Sequence, residues 1–288
     1  MSGPTIDDID EALLRRWPLP RPDAEGDKNE RGRVLLVGGS TEVPGAVLLA
    51  GTAALRAGAG KLLIGTVAFL AGPVGLAMPE ARVVALADGG GAGLGPDGAQ
   101  ALSGFARRVD ALVLGPGWVE PADDFVRALL PAFAGHPWIL DAMAMQAIDG
   151  LARAGSGPRV LLTPHAGELA DLSGEAREAI AADPVAAALR SARRWNCTVA
   201  LKGPLTVIAA PDGRLWRHRG GNVGLATSGS GDVLAGLVAA LAARGASLEQ
   251  AAAWGVALHA RAGEALGPMG YLARELPAQL PRLMQALA

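Results

Sequence analysis

Residues 201–245 read LKGPLTVIAAPDGRLWRHRGGNVGLATSGSGDVLAGLVAALAARG, and three structural signals follow one another in that stretch. Residues 205–210 and 214–218 are strand-like runs on either side of Pro211-Asp212-Gly213. They predict a β-hairpin, because an Asp-Gly pair supplies the backbone turn that two twisted strands need. The segment from Gly220 to Asp232 is rich in Gly, with Asn222, Thr227, Ser228 and Ser230, and carries no bulky side chain after Leu225. It feeds directly into residues 233–243, an apolar run of helical length that stops at Arg244-Gly245. Hydrophobic nearly all round, that helix is expected to be central and buried.

Upstream, short apolar runs bounded by Gly, Pro or Asp predict strands at 33–37, 61–67, 81–86, 111–114, 138–140, 159–163 and 199–202. Most are nearly all apolar, as a sheet covered on both faces requires. Residues 45–57, 122–133, 168–172 and 184–195 between them are helix-like, as are 248–265 and a closing segment at 275–288 downstream. The alternation predicts an α/β fold, a mostly parallel central sheet flanked by helices. The uncharged stretch 62–79 is long enough to pose the question of a membrane span, but Gly65, Gly72, Pro73, Gly75 and Pro79 break it. It reads as a strand, a loop and a short turn of helix. Residues 1–27, with Pro18, Pro20 and Pro22, read as a short helix and an extended arm, and 28–288 as one domain without internal repeat or linker.

Composition narrows the function classes. Half of the 288 residues are hydrophobic and 19% are charged, which excludes a disordered or fibrous chain. With 26 basic and 28 acidic residues the net charge is −2, so the basic excess that nucleic-acid backbones select for is missing. The single cysteine, Cys197, has no partner for a disulfide or a structural zinc and sits in an apolar setting, so it is expected in the core. The N-terminus is acidic and lacks an export signal; a reducing cytoplasm fits.

The chemistry concentrates in three places. Gly229, Ser230 and Gly231 open the buried helix, where backbone N–H groups face outward in a partly positive field, which makes an anion hole. Asp232 beside it is placed to accept a proton from a hydroxyl, or simply to cap the helix. No Gly-Lys-Ser/Thr follows, so this is not a Walker loop, and its position after a hairpin sets it apart from a dinucleotide fingerprint. Lys202, at a strand end before Gly203-Pro204-Leu205-Thr206, is placed to meet a phosphate or to lie solvated on the surface. His165, in Thr163-Pro164-His165-Ala166-Gly167-Glu168, ends a predicted strand, where it serves a ligand or the structure.

With these elements in this order, the sequence resembles the ADP/ATP-dependent NAD(P)H-hydrate dehydratases, a branch of the ribokinase-like superfamily. The resemblance begins in 32–40 (GRVLLVGGS), continues through Pro44-Gly45-Ala46 and 53–60 (AALRAGAG), and includes Leu114-Gly115-Pro116-Gly117, Leu140-Asp141-Ala142, Thr163-Pro164-His165, Lys202-Gly203 and the segment ending at Asp232. It implies a ribokinase-like three-layer sandwich. It also implies a repair reaction, in which hydrated NADH or NADPH is dehydrated at the expense of ADP or ATP, with Mg2+, through phosphorylation of the ring hydroxyl and loss of phosphate. By motif match Asp232 is the catalytic base, and Ala46, Gly117, His165 and Asp232 face the hydrated dinucleotide. Lys202, Gly203, Pro204, Leu205, Thr206 and Gly231 line the adenine nucleotide, and no residue is marked as a metal ligand. Three departures stand out. Ser228 replaces a family glycine, Asp141-Ala142-Met143 keeps one of two carboxylates, and Gly270-Tyr271-Leu272-Ala273-Arg274 replaces a more polar segment. The leading residues are too few for the epimerase domain many relatives carry, so a separate epimerase is expected. A homo-oligomer, a tetramer by resemblance, is expected, with neither nucleic acid nor membrane as partner. The alternative within the superfamily is a kinase for a vitamin-precursor alcohol.

Overall fold

The runs marked as strands by their apolar pattern pair into one sheet in the computed structural model, which describes residues 5–21, 30–87, 94–154 and 159–287. Pro22 and the boundary expected at 27/28 lie outside the described residues. The strands are β1 (Ile6–Asp8), β2 (Arg33–Val37), β3 (Lys61–Val67), β4 (Ala81–Leu86), β5 (Ala111–Leu114), β6 (Pro137–Leu140), β7 (Arg159–Leu162), β8 (Thr198–Leu201), β9 (Thr206–Ala209) and β10 (Leu215–His218). Their order is β1-β10-β9-β8-β7-β6-β5-β2-β3-β4. Every pairing is parallel except those of β9 with β8 and β10. Strands β5, β6 and β8 are buried at every residue, the state their unbroken apolar runs require.

The helices are α1 (Glu11–Arg16), α2 (Ala46–Arg56), α3 (Ala68–Ala77), α4 (Pro96–Ser103), α5 (Asp123–Phe133), α6 (Ile148–Arg153), α7 (Ala166–Ser173), α8 (Arg177–Ala182), α9 (Pro184–Trp195), α10 (Ser230–Ala243), α11 (Leu248–Leu266) and α12 (Leu276–Leu287). Helices α2, α10, α11 and α12 pack on one another in one layer, and α4, α5, α6 and α9 form the other, giving the expected three-layer sandwich. Helix α10 is buried over almost its whole length, and Cys197 is buried too, with its thiol pKa pushed up by that burial. Two departures from expectation have physical causes. A ten-residue helix, α3, follows β3 directly where a loop was expected, because Leu70, Val74 and Met78 at four-residue spacing bury against the sheet and outweigh Gly72, Pro73 and Gly75. The N-terminal arm adds a strand of its own. β1 runs parallel beside β10, Asp8 pairs with Arg217 at 2.6 Å, and Trp17 stacks on Trp216 with ring centroids 5.5 Å apart.

Helix α10 reaches its position through a close backbone contact with α2. A Cβ built on Gly236 would lie 2.0 Å from the Ala50 carbonyl oxygen, so only glycine fits. Gly236→Val is expected to force the two helices apart and lower stability by about 3 kcal/mol, read as a fall in the urea midpoint. An unchanged midpoint would mean that the helices separate freely.

Candidate active site

Successive strands run outward from β2 to β3 on one side and from β5 to β6 on the other, although β2 and β5 are neighbours. Chain leaving the two carboxyl ends therefore diverges and opens a crevice, the place where open α/β sheets bind ligands. Gly38 and Gly39 follow β2, and Gly115, Pro116 and Gly117 follow β5. The two turns touch: the Gly39 N–H donates to the Pro116 carbonyl at 2.8 Å, and a Cβ on Gly38 would lie 2.4 Å from that same oxygen. Gly117 has a φ of +75°, and a Cβ there would meet Ala46 Cβ at 2.6 Å, so Gly117 packs directly against the start of α2. Nearby, the hydroxyl of Thr66 and the indole N–H of Trp118 are buried without a partner among the described residues.

Two helix N-termini border this crevice. Helix α2 begins at Ala46, and α10 begins at Ser230 after Gly229, whose φ of +86° turns the chain into the helix. The ends are adjacent: a Cβ on Gly229 would come within 2.4 Å of Leu49 Cδ1. Both first turns carry partial positive charge on the same side, the electrostatic setting that favours an anion. The helix starts three residues earlier than its apolar run, so Asp232 is its third residue and Gly229, Ser230 and Gly231 form its opening. No side chain caps the helix; Asp232 is not its cap. Burial, and then the negative charge of Asp141, raise the Asp232 pKa to about 7, while Lys202 and the Gly117 N–H pull the other way.

Below Asp232 lies a network of charges at the ends of β6, β7 and β8. Lys202 Nζ is 3.3 Å from Asp141 Oδ1 and 3.7 Å from Glu168 Oε2. The Thr163 hydroxyl donates to Asp141 Oδ1 at 2.7 Å. Lys202 is thus largely buried and paired, not a solvated surface lysine. A Cβ on Gly231 would stand 3.5 Å from Lys202 Nζ, which places this network against the first turn of α10. Burial opposes the Lys202 charge, but Asp141 and Glu168 overcome it and raise its pKa. His165 sits beside Lys202 through an isolated β-bridge and caps α7: its Nδ1 accepts from the Gly167 and Glu168 N–H groups at 3.0 and 3.1 Å. Glu168 answers by accepting the His165 N–H at 2.7 Å. With Nδ1 accepting, the ring proton is on Nε2, which lies 3.7 Å from Glu168 Oε2 in a side chain that is 60% exposed, so a cap and a solvent-accessible donor coexist in one residue. After β8, Gly203, Pro204, Leu205 and Thr206 form a turn closed by the Thr206 hydroxyl on the Gly203 carbonyl at 3.2 Å.

The glycine-rich lead-in to α10 is held from behind. Asn222 Nδ2 donates to the carbonyls of Gly263 and Gly267 at 2.9 and 2.6 Å, and Asn222 Oδ1 accepts from the Gly224 N–H and the Tyr271 hydroxyl at 3.0 and 2.8 Å. Both protons and both oxygen lone pairs of that amide are committed to the protein, so Asn222 shapes the loop. Tyr271 supplies a latch where the sequence reading saw only a lost polar segment. Asp141, Thr163, Glu168 and His259 were not marked as site residues. For the first three, their place at strand ends is the signal; His259, inside α11 and away from any strand end or glycine loop, leaves none.

The comparisons agree with this geometry. The family model described as NAD(P)H-hydrate dehydratase matches residues 34–282. A relative from Xanthomonas campestris named ADP-dependent (S)-NAD(P)H-hydrate dehydratase is 45% identical, covering 100% of this chain and 99% of its own. A solved Bacillus subtilis ADP/ATP-dependent NAD(P)H-hydrate dehydratase, co-crystallised with ATP/Mg2+, superposes with a TM-score of 0.84 at 31% identity over 99% of each chain. A bifunctional NAD(P)H-hydrate repair enzyme from Moorella thermoacetica is 40% identical over 86% of this chain, and the match spans 48% of that longer protein. On sequence, fold and the arrangement at the strand ends, the chain belongs to the NAD(P)H-hydrate dehydratase family.

Proposed function

We propose that the protein restores hydrated NADH or NADPH, using ADP or ATP as phosphoryl donor, by phosphorylating the ring hydroxyl and then losing phosphate. One observation carries the mechanism: Asp232, with its pKa raised to about 7, stands in the first turn of α10 beside its anion-binding N–H groups. A carboxylate balanced at that point takes a hydroxyl proton efficiently, since a base works best with its pKa near the working pH. The substrate oxygen attacks the terminal phosphorus, its proton passes to Asp232, and the bond to the nucleotide breaks. The N-termini of α10 and α2 stabilise the charge on the transferring group. The new ester then breaks at its carbon–oxygen bond; phosphate leaves far more readily than hydroxide, and loss of a proton from the adjacent carbon restores the dihydropyridine. In this reading Ala46, Gly117 and the solvent-accessible Nε2–H of His165 face the dinucleotide, while Lys202, the 203–206 turn and Gly231 line the adenine nucleotide.

Mg2+ fits as an ion brought in on the phosphates. Among the described residues no three His, Cys, Asp or Glu side chains form a cage for it. Glu168 and Asp141 are the acids placed to hold its hydration shell, where it would neutralise phosphate charge. The test mixes hydrated NADH, Mg2+ and either ADP or ATP with the protein and follows the near-ultraviolet absorbance of the dihydropyridine. A rise that requires nucleotide supports the reading. No rise, with a vitamin-precursor alcohol phosphorylated instead, would replace it with the kinase.

The reading extends to setting and assembly. No helix among the described residues is long and apolar enough to cross a membrane. A cytoplasmic setting, with a separate epimerase supplying the correct hydrate epimer, completes the repair. Helix α3 exposes Phe69 and Leu76, at 54% and 87%, within a stretch that has no charge. This face supports a homo-oligomer, for which the resemblance implies a tetramer. Leu76→Glu is expected to reduce the particle mass measured by light scattering, and a variant with the wild-type mass would move the interface elsewhere.

A further inference from the structure

His259 lies on α11 and is half-buried, yet the chemistry so far gives it no task. Its Nε2 is 3.0 Å from the Ser230 hydroxyl oxygen and 3.0 Å from the Ser230 carbonyl oxygen. A carbonyl oxygen only accepts, so Nε2 carries the ring proton and points it between the two oxygens. The Ser230 hydroxyl is therefore on the accepting side of that contact, and its own proton is left to turn elsewhere. Ser230 is the first residue of α10, and its backbone N–H is already used on the Thr227 carbonyl at 3.2 Å. Beyond it stand Gly231 and Asp232, at the place assigned to the transferring phosphoryl group. Burial, reinforced by the positive charge of Lys202, lowers the His259 pKa to about 4, which keeps the ring neutral with one proton and one fixed role.

We propose that His259 is a positioning residue that fixes the Ser230 hydroxyl as a donor to the terminal phosphoryl group of the nucleotide. The chain of contacts runs from α11 through Ser230 to the anion. The serine side chain thus adds a directed O–H to the backbone N–H groups of the anion hole, and His259 prevents it from turning back to accept from the ligand. The proposal rests on the phosphoryl-transfer reading of the site. It does not depend on which hydroxyl is phosphorylated.

The test is a double-mutant cycle with Ser230→Ala and His259→Leu, plus His259→Gln, whose amide nitrogen stands in for Nε2. ADP affinity is measured by calorimetry and kcat in the hydrated-NADH assay. Ser230→Ala is expected to lower kcat about a hundredfold, as loss of one transition-state donor does, and to weaken ADP about tenfold. His259→Leu should cost as much alone and nothing further in the Ser230→Ala background, and His259→Gln should recover most of the loss. Full additivity of the two losses, or wild-type kcat and ADP affinity in Ser230→Ala, would overturn the proposal. A merely structural histidine would add its loss to that of the serine. If His259→Leu does not fold, Ser230→Ala with and without His259→Gln decides: whatever the glutamine costs in the wild type must vanish in the alanine background, and an equal cost in both would overturn the proposal. ADP affinity is readable without dehydration, so a chain that binds ADP but does not regain NADH fails the dehydratase reading while the binding cycle still judges His259.

Discussion

Asp232→Asn is expected to reduce turnover about a thousandfold and to leave ADP binding near the wild-type level. Asparagine keeps the shape of the side chain in the first turn of α10 but cannot take a proton, so only the chemical step should suffer. The variant also carries a stability signature. In the folded protein the Asp232 pKa lies at about 7 against the ordinary carboxylate value of 3.8, so the native state holds a proton that the unfolded chain gives up in between. The stability associated with this group is present below the unfolded value and is lost as pH rises through about 7. Asparagine does not titrate, so the variant should melt above the wild type at about pH 8, with the gap closing as pH falls to about 4. A slow enzyme with higher Tm on the alkaline side is the expected pair of results. Unchanged turnover would remove Asp232 from the mechanism.

Lys202→Met is expected to do damage of another kind. Lys202 stands between Asp141 and Glu168, and its charge lowers the pKa of Asp232. Without it Asp141, only 4% exposed, keeps the Thr163 hydroxyl as partner but loses its counter-charge. Removing one member of a buried pair in this way should cost about 3 kcal/mol of stability. Asp232 then becomes harder to ionise, and the acid limb of the pH–rate profile should move up by about one unit. Both changes are measurable, by denaturant unfolding and by kcat/KM against pH. An unshifted profile with weaker ADP binding alone would make Lys202 a phosphate ligand with no hold over the base.

The parts of this arrangement that sequence revealed are those where a local pattern and the tertiary environment demand the same residue. Strands 33–37, 61–67 and 111–114 appear at the bounds their apolar runs mark, because parallel strands buried on both faces are apolar over most of their length, and 81–86 does so as a half-exposed edge strand. The Asp212-Gly213 hairpin and the glycine approach to α10 were equally visible, since φ values of +98° at Gly213 and +86° at Gly229 require what the sequence supplies. Helix α3 was hidden because its glycines and proline argue for a loop locally, and only burial of Leu70 and Val74 against the sheet overrides them. Strand β1 was hidden because three residues carry no period, and its partner, β10, lies some two hundred residues away in sequence. In the site, Asp232, Lys202 and His165 stood out through their neighbours in sequence. Asp141, Glu168 and His259 come in from other elements, and contacts across 61 residues, as between Asp141 and Lys202, leave no trace in local spacing.

The central claim is that phosphoryl transfer from the nucleotide and recovery of the dihydropyridine are one coupled reaction at Asp232. The direct measurement follows a single mixture of protein, hydrated NADH, ADP and Mg2+ and quantifies AMP, orthophosphate and NADH together over time. The account predicts that the three appear in equal amounts and that Asp232→Asn suppresses all three alike. NADH regained without AMP, or AMP formed with the phosphate retained on an unrestored product, would contradict it.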